Sequence, residues 1–130
     1  MQYKPVPNHV NQLSAVIVDS ALTVHRKLGP GLVEKVYEEC LLYELRRRGL
    51  KVESQVSLPI VYDELKINGA FRIDILVENC VIIEIKAIEN ILPVHEAQLL
   101  TYLRLTNIRL GMLINFNSPL VKDGIKRIVN

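Results

Sequence analysis

Cysteine is scarce in this chain: only Cys40 and Cys80 are present, and neither belongs to a CxxC pair. Disulfide frameworks and thiolate metal sites need more cysteines at set spacings, so the two read as buried, reduced thiols of a cytoplasmic protein. Histidine is thin as well. His9, His25 and His95 make no HxH or HExxH pair, which argues against a zinc site. Long apolar runs are missing: none exceeds about five residues, against roughly 18 for a membrane span. The opening MQYKPVPNHV has no basic stretch leading into an apolar one, so no signal peptide is expected. Proline and glycine number six each and are thinly spread, which with 49% hydrophobic residues excludes a disordered chain. A net charge of +2 is too mild to argue for nucleic acid on its own. Basic residues gather at Arg46-Arg47-Arg48 with Lys51, and at Lys122, Lys126 and Arg127. The commoner meaning of such runs is a solvated helix end.

What is there suits one domain over residues 1–130, able to bury about two-thirds of the surface its unfolded chain exposes. No repeat, low-complexity tract or linker interrupts it. Val10, Leu13, Ile17, Ala21, Val24 and Leu28 recur at three- and four-residue steps, predicting a helix from about Asn8, its N-cap, to Leu28. Gly29-Pro30-Gly31 stops it. A second helix is expected from Leu32 to Arg48, closed by Gly49 with arginines in its last turn. The pattern then changes to period two: Val52, Val56, Leu58, Ile60 and Tyr62, with Pro59 marking an edge or a bulge. After a turn at Asp63-Glu64, the alternating sets are Ile67 to Val77 and Val81 to Ala87. Pro93 opens a helix to about Leu105, Ile108 to Phe116 is a buried strand, and Gly124 to Val129 is a last strand or short helix. The order α-α-β-β-β-α-β predicts an α/β fold, a mixed sheet flanked by helices.

Chemistry concentrates in one hairpin. Side chains alternate along a strand, so Ile73, Ile75 and Val77 are expected on one face with Val81, Ile83, Ile85 and Ala87. A three-residue loop Glu78-Asn79-Cys80, with Asn79 left-handed, brings those sets together. Asp74 then lies opposite Glu84, and Arg72 opposite Lys86. Two carboxylates across a pair sit roughly 5 Å apart at Cβ and repel unless something positive joins them. A divalent cation with oxygen ligands would do so, with Lys86 two residues along. Ordinary ion pairs from Arg72 and Lys86 on a wet sheet face would also answer the charge. Leu76 and Ile82 share that face nearer the turn, however, so it is not fully solvated.

The later helix puts Gln98 and Tyr102 four apart on one side, with His95 a turn earlier. Glu34 falls inside the apolar stripe of its helix at about 100° per residue, but so does Glu44, and the wheel does not single it out.

Taken together, Gly31-x-x-Glu34-x-x-Tyr37, Asp74, Glu84-Ile85-Lys86 and Gln98-x-x-x-Tyr102 resemble the GxxExxY protein family of the PD-(D/E)xK nuclease-like superfamily, from about His9 to Val129. The residue before Asp74 is Ile73, where the superfamily's name has proline. The resemblance implies a restriction-endonuclease-like core and a Mg²⁺- or Mn²⁺-dependent nuclease. It would make Asp74, Glu84 and the main-chain carbonyl of Ile85 metal ligands, with Glu34 a further acid. Lys86 would position the attacking water or stabilise phosphate charge, and Gln98 and Tyr102 would support the site from the helix side. Gly31 and Tyr37 would be structural. The expected partner is nucleic acid, DNA before RNA, contacted by Arg72 and Lys86, and no membrane; a homodimer or a protein partner stays open. The alternative is a non-catalytic module, binding nucleic acid or protein, that keeps the nuclease scaffold.

Overall fold

The computed structural model describes residues 4–130; the first three residues of the opening segment, read above for a signal peptide, lie outside the described residues. The apolar stripe Val10, Leu13, Ile17, Ala21 and Val24 is buried along α1 (Asn8–Leu28). Asn8 is the first helical residue rather than the cap. Pro7 holds that position, and its carbonyl accepts from the N–H groups of Val10 and Asn11 at 3.0 and 3.1 Å. Gly29 and Gly31, at φ 67° and 103°, turn the chain where a side chain would be strained. Leu32 lies in a bend and Val33 is extended, so α2 (Glu34–Arg47) starts two residues later than its periodicity suggested.

Two long strands follow, β1 (Val52–Tyr62) and β2 (Leu65–Val77), paired antiparallel, with the register slipping at Pro59. β3 (Val81–Lys86) pairs antiparallel with β2 and parallel with β4 (Leu110–Asn115), the crossover being α3 (Pro93–Thr106). The ambiguous last segment is both things in turn: a 3-10 turn Val121–Gly124, then β5 (Ile125–Val129) antiparallel to β4. Strand order is β1-β2-β3-β4-β5. This is the mixed α/β sheet flanked by helices that the element order predicted. α1 and α2 cover one face over Ile75, Val77, Val81, Ile83, Ile85, Met112 and Ile114. α3 covers the other over Phe71, Ile73, Ile82 and Leu113. No helix of the described residues is long and apolar enough to cross a membrane.

One expectation is overturned here. Ile73 does not share a face with Ile75 and Val77, but packs on the α3 side. The cause lies in β1, where Gln55 adopts φ 52° in mid-strand. Ser54 pairs with Ile75 and Val56 with Ile73, while Gln55 and Asp74 between them drop out of the ladder. Both strands lose one residue at the same level, so the register is preserved and the pleat changes side.

Two smaller readings also change. Cys40 and Cys80 are free but only half-buried, because each packs on the rim of the α1/α2 core. The arginine run is more than a solvated helix end: Arg48 bonds Asp19 and Glu44, both at 2.9 Å, and so fastens α1 to α2. That accounts for Glu44 within an apolar stripe.

Gly111 lies beside Ile82, under Leu99 of α3. A Cβ there would come 2.8–2.9 Å from three Leu99 side-chain atoms. Gly111→Ala should therefore cost about 1–3 kcal/mol through overpacking, read as a lowered urea midpoint. An unchanged midpoint would show that α3 can lift off the sheet at no cost.

Candidate active site

The β2–β3 ladder has the predicted register, Ile75↔Ile83, Leu76↔Ile82 and Val77↔Val81, and then stops. Its loop is the expected three residues Glu78-Asn79-Cys80, with Glu78 as well as Asn79 left-handed. Asp74 and Glu84 are the next residues on their strands. The ladder ends before Arg72 and Lys86, so the pairing foreseen for those two is not formed. Arg72 pairs with Ser57 of β1 instead. The reason is the change of side at Asp74, which carries the rest of β2 away from β3. Into the gap goes the Asp74 carboxylate, whose Oδ2 accepts from the Ile85 N–H at 2.9 Å.

Above this gap, α2 and strands β1, β2 and β3 line a cleft of about 350 Å³, with Glu34, Lys35, Glu38, Gln55, Arg72, Asp74 and Ile85 on its walls. Glu34, first residue of α2, is exposed at the lip. One turn on, Glu38 is buried, and its Oε1 accepts from Gln55 Nε2 at 2.7 Å. The same Nε2 lies 3.4 Å from Asp74 Oδ1. Burial pushes the Glu38 carboxyl up and the Asp74 charge adds to this, against the opposing bond from Gln55.

Glu84 is deeper, 6% exposed, and its Oε1 is buried with no hydrogen-bond partner. Burial first, then the Asp74 carboxylate, push it up to about 10, against a smaller pull from Lys86. Lys86 is half-buried at the end of β3. Tyr102 closes the α3 side, stacked on Phe71 with ring centroids 4.6 Å apart. Its hydroxyl is raised by burial and then by the Glu84 and Asp74 charges. Gln98, a turn earlier, is exposed. His95 caps its own helix, Nδ1 accepting from the Leu92 N–H at 2.9 Å.

A profile of the PD-(D/E)XK nuclease superfamily matches residues 11–128. The chain belongs to this superfamily. Searches among curated proteins and among solved structures return no match.

As a PD-(D/E)XK protein, the chain would be expected to take a hard divalent cation. A buried Glu84 oxygen without a donor, beside Asp74, suits one; Asp74 and Ile85 line the cleft, and Glu84 lies behind them. Among the described residues, no group of three or more His, Cys, Asp or Glu side chains is arranged to hold a metal. The fit therefore rests on Asp74, Glu84 and main-chain oxygen. Tyr37 has a different job. Its hydroxyl donates to the Gly29 carbonyl at 2.6 Å and accepts from the Leu32 N–H at 3.1 Å, pinning the turn that leads into α2. Glu38 and Gln55 were missed by sequence reasoning. Glu38 had a signal, since it follows Glu34 by one helical turn on the same side. Gln55 had none.

Proposed function

We propose that the chain is a metal-dependent nuclease-type phosphodiesterase that hydrolyses DNA, with Asp74, Glu84 and the Ile85 carbonyl holding Mg²⁺ or Mn²⁺. The observation that carries this reading is Glu84 Oε1, buried and unpartnered beside Asp74. A buried carboxylate oxygen left without a partner costs stability, and a cation is the partner that its charge and hardness call for. When bound, such an ion supplies a nucleophilic water and relieves charge on the scissile phosphate. The chain's own groups do the rest. Lys86 presents a positive donor beside Glu84, suited to charge building on the phosphate. Arg72 and Lys35, on the cleft wall, orient a phosphate backbone. Glu34 adds an acid at the lip, while Tyr102 excludes water from the α3 side and Gln98 extends that wall outward.

The test is cleavage of plasmid and oligonucleotide DNA with Mn²⁺ by wild type, Asp74→Ala and Lys86→Ala, each confirmed folded by its melt. Loss of one such group should lower turnover by about 10²–10³-fold. Equal turnover in Lys86→Ala removes the lysine from the chemistry, and equal turnover in Asp74→Ala removes the site. The second reading, a binding module, is favoured by the two cations lining the cleft. A gel-shift that persists in chelator, with no cleavage of any substrate, would select it.

A further inference from the structure

We propose that Gln55 is the residue that positions Asp74 for metal uptake, with Glu38 as its anchor; this rests on the metal reading above. Gln55 sits in mid-strand at φ 52°, a conformation that strains a non-glycine residue. Pairs on either side of it keep one register while the pleat changes side, so Val52 packs on the α1/α2 face and Val56 on the α3 face. The same conformation carries the side-chain amide to the two acids.

Nε2 donates to Glu38 Oε1 at 2.7 Å and lies 3.4 Å from Asp74 Oδ1. The other Asp74 oxygen is held by the Ile85 N–H at 2.9 Å. The carboxylate thus sits between a side chain of β1 and the main chain of β3, with each oxygen facing a donor on a different strand. Remove the amide and one oxygen loses its side-chain donor. Glu38, buried at 7% exposure, holds the amide in place through its 2.7 Å bond. Partners of this kind, which orient a ligand without touching the metal, typically change metal affinity by about 10- to 100-fold.

The experiment is calorimetric titration of Mn²⁺ into the whole metal-free chain, as wild type, Asp74→Ala, Gln55→Gly and Gln55→Asn, with melts of each in chelator. Glycine takes a positive φ without strain, so Gln55→Gly keeps the strand's path while losing the amide. Asparagine tolerates the same backbone but holds its amide one methylene short, giving a second variant if glycine weakens the strand too far. The expected result is Mn²⁺ binding by wild type, weakened about 10- to 100-fold in both Gln55 variants. A merely structural glutamine would move the melts and leave the affinity alone. Folded variants that bind within about twofold of wild type would overturn the role of Gln55 and leave the metal site standing, since an oriented ligand should matter more than that. Wild type and Asp74→Ala giving the same empty titration would overturn the metal reading, and the role of Gln55 with it.

Discussion

Replacing Glu84 by glutamine should make the metal-free protein more stable, while abolishing its uptake of Mn²⁺. The carboxyl is pushed from 4.5 up to about 10 by burial and then by Asp74. A group whose folded value lies above its unfolded one contributes its full stability below the unfolded value and loses it as pH rises toward the folded value. The loss therefore begins near pH 4.5 and grows toward pH 10. At pH 7 the wild-type chain must take up a proton on folding. At about 1.4 kcal/mol for each pH unit above the unfolded value, that costs on the order of 3 kcal/mol. Glutamine has no proton to take up. In chelator at pH 7 its Tm should be higher by on the order of 10 °C, and the two melts should converge as the pH is lowered to about 4.5. A glutamine variant that melts lower at pH 7 would mean that the carboxylate has donors in solution, and the case for a cation at Glu84 would fall.

Tyr37→Ala should be the most damaging substitution in the family motif. Its ring is wholly buried and stacked on Phe116, with centroids 4.7 Å apart and planes 6° from parallel. Truncating a buried aromatic costs about 3–5 kcal/mol. Tyr37→Phe keeps the stack but strips two main-chain groups of their partner, the Gly29 carbonyl and the Leu32 N–H. That should cost about 1–3 kcal/mol, measured as a shift in urea midpoint. Metal affinity in the folded fraction of Tyr37→Phe should stay at the wild-type level. Full stability with lost affinity would make this tyrosine part of the chemistry.

Much of this architecture was legible because periodicity is a direct image of burial. The stripe from Val10 to Val24 defined α1, and Pro93 is the first residue of α3, whose end falls one residue beyond the expected Leu105. The hairpin register followed from matching apolar sets across Glu78-Asn79-Cys80, which put Asp74 and Glu84 at adjoining positions. What stayed hidden is the change of side at Gln55. Val52, Val56, Leu58 and Ile60 all fall on even positions, with only Ser54 missing from the apolar set, yet Val52 packs on the α1/α2 face and the other three on the α3 face. A binary pattern cannot register two residues extruded from paired strands at one level, since the count on both strands stays equal. For the same reason Gln55 looked like any polar strand residue. Glu44 hid in another way, because its partner Arg48 belongs to a run that reads as solvated surface.

The succession of strands has a consequence for how the chain reaches this state. Each strand lies beside its successor in the chain, so the sheet can grow by short loop closures, with α3 as the single crossover. α1 is the exception. It precedes every strand, yet His25 contacts the Ser118 carbonyl at 2.9 Å and Asn11 accepts from Arg127 at 2.8 Å. Its final anchoring waits on segments that follow β4, so the element with the clearest local pattern is among the last to be locked in place.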